Sequence, residues 1–114
     1  MKVHVYPDYK TLSRATADLI SAYIKKKPDS LICLASGHSP LGVFTCMVDD
    51  VRAGKLSLDR CTFVSLDEWI GIAASQKGSC REMMDKDLFG PLAIKENQII
   101  FFDGMAANLK DQVD

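Results

Sequence analysis

The chain has 114 residues, of which 47% are hydrophobic and 25% are charged, and its formal net charge at pH 7 is -1. This length and composition are those of one ordinary globular domain, which excludes a disordered or fibrous chain. So small a net charge, with basic residues scattered along the chain, also argues against a nucleic-acid partner.

The first predicted element is a short strand over residues 2–6, which Pro7 ends because proline cannot donate to a sheet ladder. The beginning of the chain lacks the pattern of a secretory signal, and no apolar segment is long enough to span a bilayer. The sequence therefore predicts a cytoplasmic protein without a membrane partner.

A first helix is predicted between Asp8 and Lys27, because its apolar residues recur at steps of three and four. Asp8 can cap the beginning of this helix, and Pro28 ends it. Residues 31–35 then form a continuously apolar strand, which is typical of a strand covered on both faces.

A second helix is predicted to begin at Pro40 and to end at Gly54. The third strand is "CTFVSL", residues 61–66, and a third helix is predicted over about residues 79–88. The fourth strand is "QIIFF", residues 98–102.

Strands that alternate with helices pair in parallel through right-handed crossovers. The sequence therefore predicts an α/β fold, a Rossmann-like three-layer sandwich with a mostly parallel sheet, in one domain over residues 1–114. The pattern looks incomplete at its end, because residues 106–114 begin a helix that has no cap.

The four cysteines are predicted to be buried, reduced thiols, because free cysteine packs as a small hydrophobe. They contain no C-x-x-C pair, and no histidine has the spacing of a zinc site. No metal is therefore predicted. The cysteines are Cys33, Cys46, Cys61 and Cys80.

Small and hydroxyl-bearing residues separate the second strand from the second helix: Ser36, Gly37, His38 and Ser39. Ligands of open parallel sheets bind at the carboxyl ends of the strands. Free N–H groups at a helix start, the helix dipole and two hydroxyls would form an anion site, and phosphate is its natural occupant. An ordinary capping loop would carry the same residues.

Two adjacent carboxylates, Asp67 and Glu68, follow the third strand in "SLDEWIG", residues 65–71. A carboxylate held there, partly desolvated, can act as a general base. Adjacent side chains at a strand exit point in different directions, so at most one of the two faces the pocket first. The alternative is that Asp67 caps the next turn and Glu68 is simply exposed.

Three segments occur in order between residues 31 and 102: "LICLASGHSPLGVF", "CTFVSLDEWIGI" and "GSCREMMDKDLFGPLAIKENQIIFF". Together they resemble the glucosamine-6-phosphate deaminase family, whose hallmarks are an apolar strand into T-G-x-T-P-L and a later strand into M-D-E-Y-x-G. The sequence most resembles the galactosamine-6-phosphate isomerase branch, as "KPDSLICLASG", "TFVSLDEW" and the Gly-Ser-Cys at 78–80 indicate. The resemblance covers about residues 8–103 and corresponds to the N-terminal half of such an enzyme.

The resemblance implies an isomerising deaminase that converts galactosamine 6-phosphate or glucosamine 6-phosphate to a ketohexose 6-phosphate and ammonia. The loop from Ser36 to Ser39 would hold the 6-phosphate, Asp67 would move a proton between C2 and C1, and Glu68 would order its loop. No metal or organic cofactor is implied, and the partner is the small amino-sugar phosphate. Members of the family commonly form oligomers, so a homo-oligomer is one of the expected states.

The chain also departs from the family pattern. His38 stands where the glucosamine branch usually has Gly, which would restrict backbone approach or let the imidazole donate to an anion; a plain surface histidine is the alternative. The family's ring-opening His and its remaining phosphate ligands have no counterpart here, since neither His4 nor His38 matches that motif. The 114 residues alone are therefore expected to be inactive.

Three other functions stay open. A 6-phosphogluconolactonase shares the architecture but does not usually present the Asp-Glu-aromatic sequence of residues 67–69. A sugar-phosphate-sensing domain of a transcription regulator would need a DNA-binding module, for which there is no room before the first strand. The third is a structural α/β fragment without a ligand. Ammonia release would separate the deaminase from all three, while the substrate epimer cannot be read from these residues.

Overall fold

The computed structural model describes residues 1–113, so Asp114, the last residue of the predicted C-terminal helix, lies outside the described residues. The first helix, α1, spans Tyr9–Lys26. It begins where the Asp8 carboxylate accepts a hydrogen bond of 2.7 Å from the backbone N–H of Thr11, as the predicted cap requires. No helix in this part of the chain is both long and apolar enough to cross a membrane.

Three parallel strands form the sheet, in the order β1 (Leu31–Leu34), β2 (Thr62–Ser65) and β3 (Ile99–Ile100). Leu34 lies opposite Ser65, and Val64 lies opposite Ile100. The predicted α/β fold with a parallel sheet is confirmed. Because the strands are parallel, their three carboxyl ends meet at one edge of the sheet.

The strand predicted over residues 2–6 is wrong for the described part of the chain. These residues pair with no other strand there, and Val3 and Val5 are 72% and 89% exposed. Alternating valines favour a strand, but a strand forms only where a neighbour supplies the hydrogen-bonding ladder.

The expectation that β1 is covered on both faces is also wrong within residues 1–113. Ile32 and Leu34 pack against the core, whereas Leu31 and Cys33 on the opposite face are exposed. The reason is that the side chains of β1 alternate between the two faces of the sheet, and the described chain covers only the face of Ile32 and Leu34.

The predicted burial of the cysteines holds for only part of the set. All four are free thiols. Cys61 and Cys80 are buried, Cys46 is half-buried, and Cys33 is exposed because it lies on the open face of β1.

The second helix, α2 (Leu41–Arg52), connects β1 to β2 and packs against α1. Pro40 caps this helix instead of forming its first residue. The two helices approach closely at Gly42, where an added Cβ would lie 2.9 Å from the Cβ of Ser13 and clash with its Oγ. The face of α2 that meets the core carries Phe44, Met47 and Val48.

The third helix, α3 (Cys80–Met84), is shorter than predicted because it widens into a π-helical turn over Asp85–Phe89. Ser79 caps α3 by accepting a hydrogen bond of 2.9 Å from the N–H of Glu82. The predicted C-terminal helix is replaced by a short 3₁₀ turn at Leu109–Gln112.

Candidate active site

Two loops leave the sheet side by side at its carboxyl edge. One is the Ser36–Ser39 loop after β1, and the other, here named the carboxylate loop, covers residues 66–72 after β2. The N–H of Leu66 donates to the carbonyl of Leu34 at 2.9 Å, so the two chains are still hydrogen-bonded where the loops begin. The structure thus brings both sequence-predicted loops to one edge.

Backbone N–H groups of the Ser36–Ser39 loop are open to a ligand. Among residues 1–113, none of the four amides from Ser36 to Ser39 donates a hydrogen bond to the protein. Gly37 has φ of +108°, a conformation that other residues rarely adopt, and its missing side chain leaves open space in front of the backbone. His38 and Ser39 are exposed. Such an arrangement suits an oxyanion.

Tyr9 shapes this loop, although no motif in the sequence indicates such a role. Its hydroxyl lies 3.2 Å from the carbonyl oxygen of His38 and 3.0 Å from that of Ser39, to which it donates. The same hydroxyl accepts from the N–H of Gly42 at 2.8 Å, and the N–H of Leu41 donates to the His38 carbonyl at 3.3 Å. These two helical N–H groups are therefore occupied, and the open donors lie one turn earlier, in the loop itself.

Asp67 is exposed, contrary to the partial desolvation that its place in the sequence predicted. It lies two residues beyond the end of β2. There it lines a cavity of about 290 Å³ whose other walls include Leu66, Ile70, Phe102 and Asp103. Within residues 1–113, the Asp67 carboxylate contacts the thiol of Cys80, whose Sγ lies 3.8 Å from Oδ1.

Glu68 ties the carboxylate loop to α3. Its Oε1 accepts from the N–H groups of Cys80 at 2.8 Å and Trp69 at 2.9 Å, and its Oε2 accepts from the N–H of Arg81 at 3.0 Å. Burial alone would raise the pKa of the Glu68 carboxyl, but these backbone hydrogen bonds outweigh burial and lower that pKa. Glu68 is therefore held ionised, and it is not simply exposed.

A third loop, which follows β3, contacts the backbone of the carboxylate loop. The N–H of Gly71 donates to the carbonyl of Gly104 at 2.7 Å. A Cβ on Gly104 would lie 2.7 Å from the carbonyl oxygen of Ile72 and would clash with that of Trp69. Only glycine permits this close approach, so the exits of β2 and β3 are packed together.

Two lysines that the sequence analysis did not single out lie near the Ser36–Ser39 loop. Lys77 and Lys86 line a cavity of about 260 Å³ together with Gly37 and His38. This cavity is separate from the one that Asp67 lines. The structure therefore places the Ser36–Ser39 loop and the Asp67 carboxylate at the same edge of the sheet, but they line two different cavities. Among the described side chains, no cluster of His, Cys, Asp and Glu could hold a metal ion.

Comparisons with known proteins give a consistent result, although no family model matches the chain. Over 83% of its length the chain is 32% identical to a protein of Escherichia coli (strain K12) named as deaminase AgaI, of which it covers 38%. Over 96% of its length it is 33% identical to the glucosamine-6-phosphate deaminase of Geobacillus sp. (strain WCH70), of which it covers 44%.

A solved structure shares the fold. A monomeric glucosamine-6-phosphate deaminase of the NagB superfamily matches with a TM-score of 0.93 and 28% identity, over 98% of this chain and 46% of that one. The parallel sheet and the loops at its carboxyl edge thus define an α/β protein of the NagB-superfamily fold. Over most of its own length, the chain is similar in sequence and in fold to glucosamine-6-phosphate deaminases. It spans less than half the length of the relatives that it matches.

Proposed function

We propose that this chain carries the phosphate loop and the general base of an amino-sugar-phosphate isomerase that releases ammonia. The substrate would be galactosamine 6-phosphate or glucosamine 6-phosphate, and the products a ketohexose 6-phosphate and ammonia. One observation carries the proposal: the open amides of the Ser36–Ser39 loop and the Asp67 carboxylate leave adjacent parallel strands at one edge of the sheet.

The Ser36–Ser39 loop would bind the 6-phosphate. Its four unoccupied amides and the hydroxyls of Ser36 and Ser39 are donors of the kind that phosphate oxygens accept. The ammonium groups of Lys77 and Lys86 border the same cavity and would supply positive charge, which the carboxylates of Glu82 and Asp87 on its wall would offset.

Asp67 would be the base. Its carboxylate would remove the proton from C2 of the open-chain amino sugar, which leaves an enolamine, and would return that proton to C1. The resulting ketose imine would then be hydrolysed, so that one water is consumed and one ammonia is released. Glu68 would support this step indirectly, by fixing the carboxylate loop against α3.

The described residues supply no candidate for ring opening. His38 lies on the cavity that is separate from Asp67, and His4 lies on a cavity beside α1 with Leu12 and Leu19. We therefore propose that the 114 residues bind the sugar phosphate but do not turn it over by themselves. The galactosamine branch is proposed on sequence similarity alone, since the relatives that are named for a sugar are named for glucosamine 6-phosphate.

The decisive experiment measures ammonia released by the gene product that carries this sequence. Galactosamine 6-phosphate, glucosamine 6-phosphate and 6-phosphogluconolactone would be compared side by side. Release of ammonia from either amino sugar supports the deaminase function and identifies the substrate epimer. Turnover of the lactone alone would show that the function is that of a lactonase.

Binding to the 114-residue chain is tested separately, by calorimetry with glucosamine 6-phosphate and with glucosamine as the control that lacks the phosphate. Binding of only the phosphorylated sugar supports the loop assignment. If binding is retained while the gene product releases no ammonia, the function is that of a sugar-phosphate sensor. If neither sugar binds, the phosphate loop is wrong.

A further inference from the structure

We propose that Cys80 is a positioning residue, whose thiol holds the Asp67 carboxylate through an S–H···O hydrogen bond. The inference rests on the proposed function, because it assigns the side chain that orients the base. It adds a residue whose side chain the proposed mechanism has not used.

The recorded side-chain contact of Cys80 supports this role. Its Sγ lies 3.8 Å from Oδ1 of Asp67. The thiol therefore links α3 to the side chain that is proposed to be the base.

The position of Cys80 is fixed by its surroundings. The residue is 5% exposed and is the first residue of α3. Its N–H donates to Glu68 at 2.8 Å, and the preceding Ser79, which is fully buried, caps the helix. A side chain held in this way can define the direction of a more exposed neighbour such as Asp67.

The thiol is a donor in this setting and not a thiolate. Burial is the main cause that raises the pKa of the Cys80 thiol; the nearby Ser36 hydroxyl opposes this rise, and the charges of Glu68 and Asp67 raise the pKa further. At neutral pH the group is therefore S–H, which can donate to Oδ1 of Asp67. Oδ2 of Asp67 has no hydrogen bond within residues 1–113, so it is the oxygen available to a substrate proton.

The contact is tested on the 114-residue chain without any substrate. The pH titration of the Cys80 thiol is followed by NMR of ¹³C-labelled cysteine, with the signals assigned through single Cys→Ser variants. Asp67→Asn should lower the thiol pKa, because it removes a negative charge and a charged acceptor. The matched control is Asp103→Asn, which removes another carboxylate of the same cavity and should leave the titration unchanged. An unchanged titration in Asp67→Asn would overturn the contact.

The positioning role is tested in the gene product by ammonia release. Cys80→Ala, which removes the donor, should lower kcat about fivefold and leave KM unchanged, as expected for one modest hydrogen bond to a charged group. Cys80→Ser, which keeps a donor, should restore most of kcat. Cys33→Ala, on the exposed face of β1, is the control and should have no effect.

The outcomes separate the two proposals. If Cys80→Ala keeps full kcat, or if Cys80→Ser is as slow as Cys80→Ala, the positioning role is wrong. If the unsubstituted gene product releases no ammonia, the proposed function fails, and with it the role of Cys80 in catalysis. The thiol titration still decides in that case whether the Cys80–Asp67 contact exists.

Discussion

The hydroxyl of Tyr9 accepts a hydrogen bond of 2.8 Å from the backbone N–H of Gly42, and so joins the first turn of α1 to the first turn of α2. The same hydroxyl donates its proton to the carbonyl oxygen of Ser39 at 3.0 Å, and the carbonyl oxygen of His38 lies 3.2 Å away. The shape of the proposed phosphate loop therefore depends on a side chain that lies about thirty residues earlier in the chain.

Removing this hydroxyl should loosen the loop. We expect Tyr9→Phe to lower the free energy of unfolding by about 1 kcal/mol, the usual net value of a lost hydrogen bond, and to weaken binding of glucosamine 6-phosphate. Urea denaturation and calorimetry measure the two effects. Tyr23→Phe, which removes a hydroxyl from the exposed face of the same helix, is the control. Equal binding by both variants would show that Tyr9 does not shape the loop.

The close approach of α1 and α2 should make Gly42 sensitive to any side chain. We expect Gly42→Ala to destabilise the chain by about 1–3 kcal/mol, because the added methyl overlaps Ser13. Thermal denaturation measures the loss. The exposed Thr45→Ala, one turn further along α2, should have a much smaller effect.

Ser13 itself should be dispensable. Its side chain is buried, and within the described residues its Oγ has no hydrogen-bond partner. We therefore expect Ser13→Ala to leave stability unchanged or to raise it, because an unsatisfied hydroxyl is removed from the interior. Combined with Gly42→Ala, it should recover part of the lost stability. Simple addition of the two single effects would contradict this packing.

Glu68 should make stability depend on pH. Folding lowers its pKa, so its stabilising contribution is present above the ordinary glutamate value and is lost as the pH falls through the folded value. Glu68→Gln cannot accept all three backbone hydrogen bonds and should cost about 1–2 kcal/mol at pH 7. We expect this difference from the unsubstituted chain to shrink as the pH is lowered toward 3 in urea denaturation. A difference that is independent of pH would count against an ionised Glu68.

Asp67 is the most direct test of the proposed chemistry. In the gene product, Asp67→Asn should lower kcat by about 10²–10⁴, because the amide cannot accept the C2 proton, while binding of the sugar phosphate is retained. Asp103→Asn, from the same cavity, is the control for a general loss of negative charge. Turnover of the Asp67→Asn variant at the unsubstituted rate would remove Asp67 as the base.

The sequence predicted the elements well where the signals are local. Asp8 caps α1 as expected, and Gly54, with φ of +73°, lies just beyond the end of α2. The strand predicted over residues 2–6 was wrong, because a local alternation of apolar residues does not show whether a partner strand is present. The sequence also missed the π-helical turn at Asp85–Phe89, which no simple spacing of apolar residues predicts.

The two site loops were found from sequence because their residue types are unusual at the end of an apolar strand. What the sequence could not predict is how each residue is held. Glu68 was expected to order its loop on family resemblance alone, and its three backbone donors lie next to it and in α3. The exposure of Asp67 is likewise a result of three-dimensional surroundings and not of residue type.

By itself, the sequence determined the order of helices and strands, the parallel α/β class and the positions of the two loops. These depend on caps, breakers and apolar periodicity, all of which act within a few residues. Only the tertiary structure decided that Tyr9 meets Gly42 and that Cys80 meets Asp67. Those contacts join residues 33 and 13 positions apart. The first exists because α1 packs against α2, and the second because the chain after β2 folds back against the beginning of α3.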